Sequence, residues 1–189
     1  SEYLAENKKR LEERESGKFR GQGWHRFGRN QNLGIQHVVK LCVPRLVDRL
    51  YAAYDGDGSH FLDNVDVGGV VLKPAHAEQG LSYLLGLLNS RLLRWYFPFV
   101  SNRFRGGWLS ANRQFLSRLP FRAIDFSDPA DVARHDRMVD LVNRMLELHK
   151  LQAAARTEAD RELYSRQITT TDREIDNLVY ELYGLTEEE

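Results

Sequence analysis

Arginines cluster in a part of the chain that has no carboxylate. No Asp or Glu occurs from Gln79 to Ile124. The seven arginines of this stretch are Arg91, Arg94, Arg103, Arg105, Arg113, Arg118 and Arg122. Clustered cations bind a phosphate backbone because they release its counterions, and interspersed carboxylates would oppose that binding. The composition is that of a surface for a polyanion, although a solvated face without a ligand would have it too.

Basic residues predominate in the first part of the chain and acidic residues in the last part. Residues 1–122 contain 19 Lys and Arg against 11 Asp and Glu, whereas residues 123–189 contain 8 against 16. A net charge of zero therefore hides a basic front and an acidic tail. Because such asymmetry suggests nucleic-acid binding by one part of a chain, we expect that contact in residues 1–122.

Two loops combine basic, amide and aromatic side chains. Arginine matches the two acceptors of guanine, asparagine and glutamine match adenine, and the Gly106-Gly107 pair lets the backbone approach a phosphate closely. The predicted DNA-binding residues are Lys18, Arg20, Trp24, Arg26, Arg29, Asn30, Gln31, Asn102, Arg103, Arg105, Trp108, Asn112, Arg113 and Gln114. The alternative is that the arginines pair with the acidic tail or with a neighbouring domain.

No catalytic constellation can be assembled from the residues. The six histidines show no short-spaced pair, and a single cysteine cannot supply a thiolate cluster for zinc. A metal-dependent nuclease would need a carboxylate where Val71 stands, and a methyl-transfer centre would need an Asn/Asp-Pro-Pro-aromatic motif. We predict no catalytic residue, no metal and no cofactor in this chain, which is therefore not an enzyme by itself.

One segment matches a calcium-binding loop in part. From Asp55 to Asp66, oxygen-bearing side chains stand at loop positions 1, 3, 5, 9 and 12. Position 6 needs a glycine but holds His60, and position 12 holds Asp66 instead of a bidentate glutamate. We therefore predict a glycine-bearing turn of a β-hairpin rather than a calcium site.

The elements that position these loops follow from the residue pattern. Helix formers with spaced apolar residues predict a helix over 2–15, and apolar residues at helical spacing predict a buried helix over 77–100 that stops near Pro98. Strands are predicted over 37–43, 50–54, 61–62 and 67–72. Asp128-Pro129 signals the start of a long helix, and Gly184 signals the end of a second one.

The predicted fold class is α+β: a small mixed β-sheet with a packed central helix and a C-terminal pair of long helices. Residues 1–122 form the predicted DNA target-recognition domain, and residues 123–189 form a helical region that packs on it. The apolar runs are too short to span a membrane, the first segment lacks a signal-peptide core, and the lone Cys42 fits a reducing compartment. We expect a cytoplasmic protein, excised from a longer chain.

Three blocks of sequence resemble a known family. They are LLGLLNSRLLRWYF at 84–97, SRLPF at 117–121 and DREIDNLVYELYGLTEEE at 172–189. Together they are similar to the TaqI-like C-terminal specificity domain of adenine-specific DNA methyltransferases and type IIG restriction-modification enzymes. Tyr3, Leu11 and Arg14, followed by Trp24 and Arg29, resemble the opening segment of that family.

The resemblance implies a target-recognition domain that selects a double-stranded DNA sequence. Separate N-terminal domains of the same polypeptide would bind S-adenosylmethionine, flip the adenine and, in fused enzymes, cleave the DNA. No base-contacting residue can be transferred by motif, because the specificity loops of the family diverge. Two alternatives stay open: a protein-interaction module whose helical pair assembles a larger complex, and a domain like those of type I specificity subunits.

Overall fold

The computed structural model describes residues 2–28, 33–62 and 67–186. The chain folds into two compact units, Ser1–Gln36 and His37–Glu189. Among the described residues, the hydrophobic core belongs to the second unit. None of the described helices combines the length and the apolar character that a membrane crossing requires.

The first unit consists of short helical turns instead of the single helix predicted over 2–15. They are α1 (Glu2–Glu6), α2 (Lys8–Glu12) and α3 (Arg14–Gly17), with a later 3₁₀ turn at Leu33–Ile35. At the first break, the Asn7 side-chain amide donates to the Tyr3 carbonyl oxygen over 2.9 Å. Glu15 and Ser16 have φ values of 47° and 60°, which are not helical. The prediction of one continuous helix is wrong because local bonds of this kind compete with the helix.

Two small antiparallel sheets form the β part of the second unit. The strands are β1 (Lys40–Pro44), β2 (Leu46–Val47), β3 (Ala53–Asp55), β4 (Val67–Val70) and β5 (Leu109–Ser110). β1 is the central strand of the first sheet, in the order β3-β1-β4, and β2 pairs with β5 in the second. The α+β class is confirmed, with two antiparallel sheets in place of one mixed sheet. The strand predicted over 61–62 does not form.

The strand order corrects the interpretation of residues 55–66 as a hairpin turn. β3 and β4 pair with opposite edges of β1, so the chain between them crosses from one edge of the sheet to the other. Asp55, buried at the end of β3, forms an ion pair with the buried Lys40 of β1. At Gly58, whose φ is 66°, a Cβ would lie 2.9 Å from the His37 carbonyl carbon. Non-local packing therefore determines this turn.

The helix predicted over 77–100 is broken in two. A 3₁₀ turn (Pro74–Gln79) leads into α4 (Leu81–Asn89), and α5 (Arg91–Val100) follows. Ser90 separates the helices with an extended ψ of 153°, and its Oγ caps α5 by accepting from the Leu93 N–H over 3.2 Å. Pro98 lies inside the last turn of α5, which ends two residues later, near the predicted stop.

Two long helices, α7 (Pro129–Ala154) and α8 (Glu158–Tyr183), pack against each other as predicted. The Asp128 side chain caps α7 by accepting from the Ala130 N–H over 2.9 Å, and Gly184 ends α8 with a φ of 66°. α7 also packs on α4 at Gly86, where a Cβ would lie 2.5 Å from the Met138 Sδ. The absence of a side chain at Gly86 therefore allows the two helices to approach.

The segment before α7 is tied to α4 and α8 by tyrosine hydroxyls. The Tyr83 hydroxyl of α4 donates to the Arg122 carbonyl oxygen over 2.7 Å, and the Tyr183 hydroxyl of α8 donates to the Pro120 carbonyl oxygen. The Gln79 side chain exchanges two hydrogen bonds, of 3.0 and 3.1 Å, with the backbone of Ile124. Residues 120–125, which we call the anchor segment, are thus fixed to the helices.

The buried carboxylate of Asp131, in the first turn of α7, accepts several hydrogen bonds that fix the anchor segment to that helix. It accepts from the Asp125 N–H over 3.0 Å, from Arg122 over 2.8 and 3.0 Å, and from Arg134 over 2.6 Å. The Asp125 N–H and the two guanidinium groups hold the pKa of Asp131 at about 2, below the ordinary 3.8. The ionised carboxylate is therefore favoured in the folded state.

We expect Asp131→Asn to lower the melting temperature at neutral pH by roughly 5 °C or more, because Arg122 and Arg134 lose a buried partner. A lowered pKa gives stability that is present above the unfolded-state pKa, near 3.8, and lost as the pH falls through the folded-state pKa of about 2. The difference between the two proteins should shrink over that pH range. Thermal denaturation followed by circular dichroism between pH 2 and pH 7 measures it.

Asp140→Asn is the matched control, since Asp140 is an exposed aspartate of the same helix. Its melting temperature should follow that of the unmodified protein at every pH. The Asp131→Asn variant and the unmodified protein should differ less in melting temperature near pH 2 than at neutral pH. An equally large difference near pH 2 would contradict the assignment of the stabilisation to the ionised carboxylate.

Candidate nucleic-acid interface

The predicted Gly-Gly loop is a short β-hairpin with an ordered tip. Arg103 and Leu109 form an isolated antiparallel bridge. The Phe104 N–H donates to the Trp108 carbonyl oxygen over 2.7 Å, and the Gly107 N–H donates to the Phe104 carbonyl oxygen over 3.2 Å. Gly106 and Gly107 both have φ of 84°, a value that other residues rarely adopt. We call residues 102–110 the recognition hairpin.

The base of the recognition hairpin is anchored in the protein. Leu109 and Ser110 pair with β2 and are buried, and the Ser101 hydroxyl donates to the Ser110 carbonyl oxygen over 2.8 Å. The next residue, the buried Ala111, donates its N–H to the Arg45 carbonyl oxygen over 2.8 Å. The tip from Asn102 to Trp108 is exposed throughout. The hairpin is therefore a projection with a fixed base.

Five of the seven arginines of the carboxylate-free stretch fall into two groups. Arg122 pairs with Asp131 at 2.8 Å and Arg91 lies 3.9 Å from Asp176, so these two contact the acidic helices. Arg103, Arg105 and Arg113 are exposed, and their side chains make no ion pair or hydrogen bond with the described part of the chain. Pairing with the acidic tail therefore explains the first group and leaves the second without a structural partner.

The polar residues near the hairpin also differ in whether their side chains bond within the fold. Asn112 caps the short helix α6 (Arg113–Leu116), because its Oδ1 accepts from the Gln114 N–H over 3.0 Å while its Nδ2 donates to the Ser110 Oγ over 3.1 Å. Both ends of the Asn112 amide are therefore engaged within the fold. The side chains of Asn102, Arg113 and Gln114 are exposed beside it.

The first predicted loop lies in the first unit and forms a shallow basic depression of about 250 Å³. Lys18, Arg20 and Arg26 line it together with Phe19 and Phe27. Lys18 has an exposed ion pair with Glu15 at 3.5 Å. The structure thus brings three of the predicted basic residues of this loop to one concave surface.

Arg14 organises this loop, a role that the sequence did not reveal. Its Nε donates to the Leu11 carbonyl oxygen over 2.9 Å, and its Nη2 donates to the carbonyl oxygens of Trp24 and Arg26 over 2.9 and 3.0 Å. Its guanidinium also lies 4.5 Å from the centre of the Phe19 ring. The fork of donors on an arginine suits such bridging between carbonyl groups.

Trp24 is half-buried, with the Lys8 ammonium group 5.7 Å from its ring centre. Trp24 is therefore partly covered by residues of its own unit. The predicted DNA-binding residues Arg29, Asn30 and Gln31 lie outside the described residues. A further candidate that the sequence did not single out is Phe104, exposed on the recognition hairpin.

The larger cavities contain none of the predicted DNA-binding residues. One, of about 640 Å³, lies among α4, α7 and α8 and is lined mainly by apolar residues, with Arg94, His149 and Asp172 at its polar positions. Another, of about 460 Å³, is almost wholly apolar. Asn89, which also lines the first cavity, uses its amide on both backbone groups of Ala52. The basic surfaces are thus separate from the cavities.

The acidic turn after β3 places Asp55, Asp57 and His60 close together. The oxygens of Asp55 already accept hydrogen bonds from Lys40, from the Ser59 N–H over 3.2 Å and from the His60 N–H over 3.2 Å. Lys40 holds the pKa of Asp55 well below its usual range. Two further carboxylates of the partial calcium-loop pattern, Asp63 and Asp66, lie outside the described residues.

Comparison with known proteins gives two matches. A family model described as TaqI-like C-terminal specificity domain matches residues 1–121. Over 166 residues, the chain is 24% identical to the type II restriction enzyme and methyltransferase RM.Eco57I of Escherichia coli. That alignment covers 86% of this chain but 16% of the relative. The chain therefore corresponds to a small part of that protein, and the family resemblance seen in the sequence is confirmed.

We expect Arg14→Lys to open the first loop, because lysine retains the charge but cannot bridge the three carbonyl groups. The local opening free energy should fall by about 1–2 kcal/mol. Hydrogen exchange at the Trp24 and Arg26 amides should then be roughly 5- to 30-fold faster. Arg10→Lys, at an exposed arginine of α2, is the matched control and should leave exchange unchanged. Equal protection in both variants would show that Arg14 does not organise the loop.

We expect millimolar calcium to leave the melting temperature of the chain unchanged. The Asp55 carboxylate is committed to Lys40 and to two backbone N–H groups, so an ion would have to displace a buried ion pair. Thermal scans with calcium and with a chelator provide the test. A calcium-dependent rise in melting temperature would contradict this expectation, since a ligand that binds the native state stabilises it.

Proposed function

The chain belongs to the TaqI-like C-terminal specificity domain family, and we propose that it recognises the double-stranded DNA sequence on which a restriction-modification enzyme acts. The family is the specificity part of such enzymes, and the relative named above is both a restriction enzyme and a methyltransferase. In this proposal the chain supplies sequence recognition and no catalytic residue.

The observation that carries the proposal is the state of Arg103, Arg105 and Arg113. They are exposed on or directly after a hairpin with a buried base, they lack partners in the described part of the chain, and no carboxylate occurs from Gln79 to Ile124. Three unpaired cations on a fixed projection attract a phosphate backbone over the distance of a Debye length. Their fixed base reduces the entropy cost of ordering them on DNA.

Two roles follow for the basic residues. Arginines that contact phosphates set the position and register of the protein, and arginines that reach guanine edges in the major groove select the sequence. Arg105 stands at the apex of the recognition hairpin, between Phe104 and Gly106, and is thus the side chain placed farthest along the projection. We assign base reading to Arg105 and phosphate contact to Arg103 and Arg113.

The acidic helical region is proposed to face away from DNA. Residues 1–122 would provide the DNA contacts, and residues 123–189 would support them and pack against the methyltransferase domain, and any nuclease domain, of the same polypeptide. S-adenosylmethionine would be bound in that catalytic domain. The 16% coverage of the relative supports a much longer parent protein. The exposed Trp95 and Phe99 of α5 favour a second, protein-docking role for the same chain.

We expect Ala substitutions of Arg103, Arg105 and Arg113, made singly in the full-length protein, to separate the two roles. A base-reading arginine should cost about 1–3 kcal/mol on the preferred site and relax the preference at one base pair. A phosphate-binding arginine should weaken all DNA sequences alike and reduce the salt slope by about one. Fluorescence-anisotropy titrations at several salt concentrations, together with mapping of methylated sites, distinguish these results.

Arg137→Ala is the matched control, because Arg137 is an exposed arginine of the acidic α7 with no partner among the described residues. It removes the same charge and should change neither affinity nor sequence preference. The unmodified protein should show a salt slope of about −4 to −7, which corresponds to roughly five to eight neutralised phosphates. The proposal fails if the Arg103, Arg105 and Arg113 variants all keep full affinity and the Arg137 variant loses it.

A further inference from the structure

Two aromatic side chains of the recognition hairpin are exposed. Phe104 is 54% exposed and Trp108 is 44% exposed. They lie opposite each other in the hairpin, since the Phe104 N–H bonds to the Trp108 carbonyl oxygen over 2.7 Å. Residues opposite each other in an antiparallel pair project to the same side. Leu109, the next residue, is buried, so the alternation of a strand turns the Trp108 side chain away from the core.

One of the two rings lies against the backbone of the tip. The Trp108 indole lies beside Gly106, where a Cβ would be 3.5 Å from its Cδ1. Neither ring makes an aromatic or cation–π contact with the described residues. Exposed apolar surface on a fixed tip is unfavourable in water, so its burial by a ligand would contribute to binding.

The charges around the rings indicate what that ligand is. Arg103 precedes Phe104, Arg105 separates it from Gly106, and neither arginine has an ion pair among the described residues. A protein partner would have to supply carboxylates to both arginines, whereas DNA offers phosphates and base faces together. Apolar side chains inserted between base steps are a known way for proteins to kink duplex DNA, and aromatic rings stack on bases.

We propose that Phe104 and Trp108 form an aromatic wedge that enters the base stack of the bound duplex at one step, with Arg103 and Arg105 on the flanking backbone and base edges. This rests on the proposed function and adds the manner in which the DNA is held. Because the base of the hairpin is fixed, the DNA must deform to admit the rings. Base-pair steps that need little free energy to unstack are therefore favoured. The wedge thereby contributes to sequence selection by deformability.

The test uses the full-length protein and duplexes enriched from a random pool by binding to it. 2-Aminopurine is placed at each position of the enriched site in turn, and its fluorescence is measured on saturation with protein. The catalytic domain of the full-length protein would flip its target adenine and raise the fluorescence at that position. A wedge is therefore identified by a second rise, at a step other than the flipped adenine. Trp108→Ala and Phe104→Ala should reduce that second rise and weaken binding by about 5- to 150-fold, which corresponds to the 1–3 kcal/mol expected for base–aromatic stacking. Trp108→Phe should keep most of the second rise.

Two controls separate the possible causes. Tyr51→Ala removes an aromatic residue that is 39% exposed outside the hairpin, and it should leave the second rise intact. Arg103→Gln, which removes a proposed phosphate contact, should weaken binding and reduce the salt slope while the second rise remains. Circular dichroism of each variant confirms that it is folded.

The outcomes distinguish this inference from the proposed function. Binding with no fluorescence rise except at the flipped adenine, or a second rise that survives loss of both rings, overturns the wedge and leaves DNA recognition standing. No enrichment from the pool and no binding to any duplex overturns the proposed function itself. A second rise that needs Trp108 and Phe104 but not Tyr51 supports the wedge.

Discussion

The Asp131 carboxylate, buried in the first turn of α7, accepts hydrogen bonds from Arg122, from Arg134 and from the Asp125 N–H. Two of these donors belong to the anchor segment, which leads from the hairpin and α6 to the helical pair. An anion buried without such partners would be strongly unfavourable, so the bonds form together or not at all. This site fixes the position of the anchor segment relative to α7, and the bonds of Tyr83 and Tyr183 reinforce it.

The same interaction distinguishes two groups of arginines. Arg122 pairs with Asp131 and is part of the framework, whereas Arg103, Arg105 and Arg113 are exposed and have no ion pair among the described residues. A count of charges along the chain cannot separate these groups, because the separation depends on which acidic residue lies nearby after folding. Asn112 is the corresponding case among the amides. Its type suits adenine, but the fold uses it as the cap of α6.

Local signals in the sequence predicted the local structure well. Asp128-Pro129 and Gly184 act within one turn of the chain, and both helix ends lie where these residues place them. The β3-β1-β4 order was not predictable in this way, since it depends on pairing between distant residues and on the buried Lys40–Asp55 ion pair. The break at Ser90 was missed because an apolar run at helical spacing continues through it, and only the cap on Leu93 reveals two helices.

The recognition hairpin separates the requirements of stability from those of recognition. Leu109, Ser110 and Ala111 are buried and paired at its base, so substitutions there disturb the fold. Apart from Gly106 and Gly107, the tip residues from Asn102 to Trp108 are exposed and contribute little to the core, so substitutions of them leave stability almost unchanged. The two glycines must be kept, because their φ of 84° would strain any other residue. The exposed side chains of the tip can therefore be exchanged without disturbing the buried base that holds the hairpin in place.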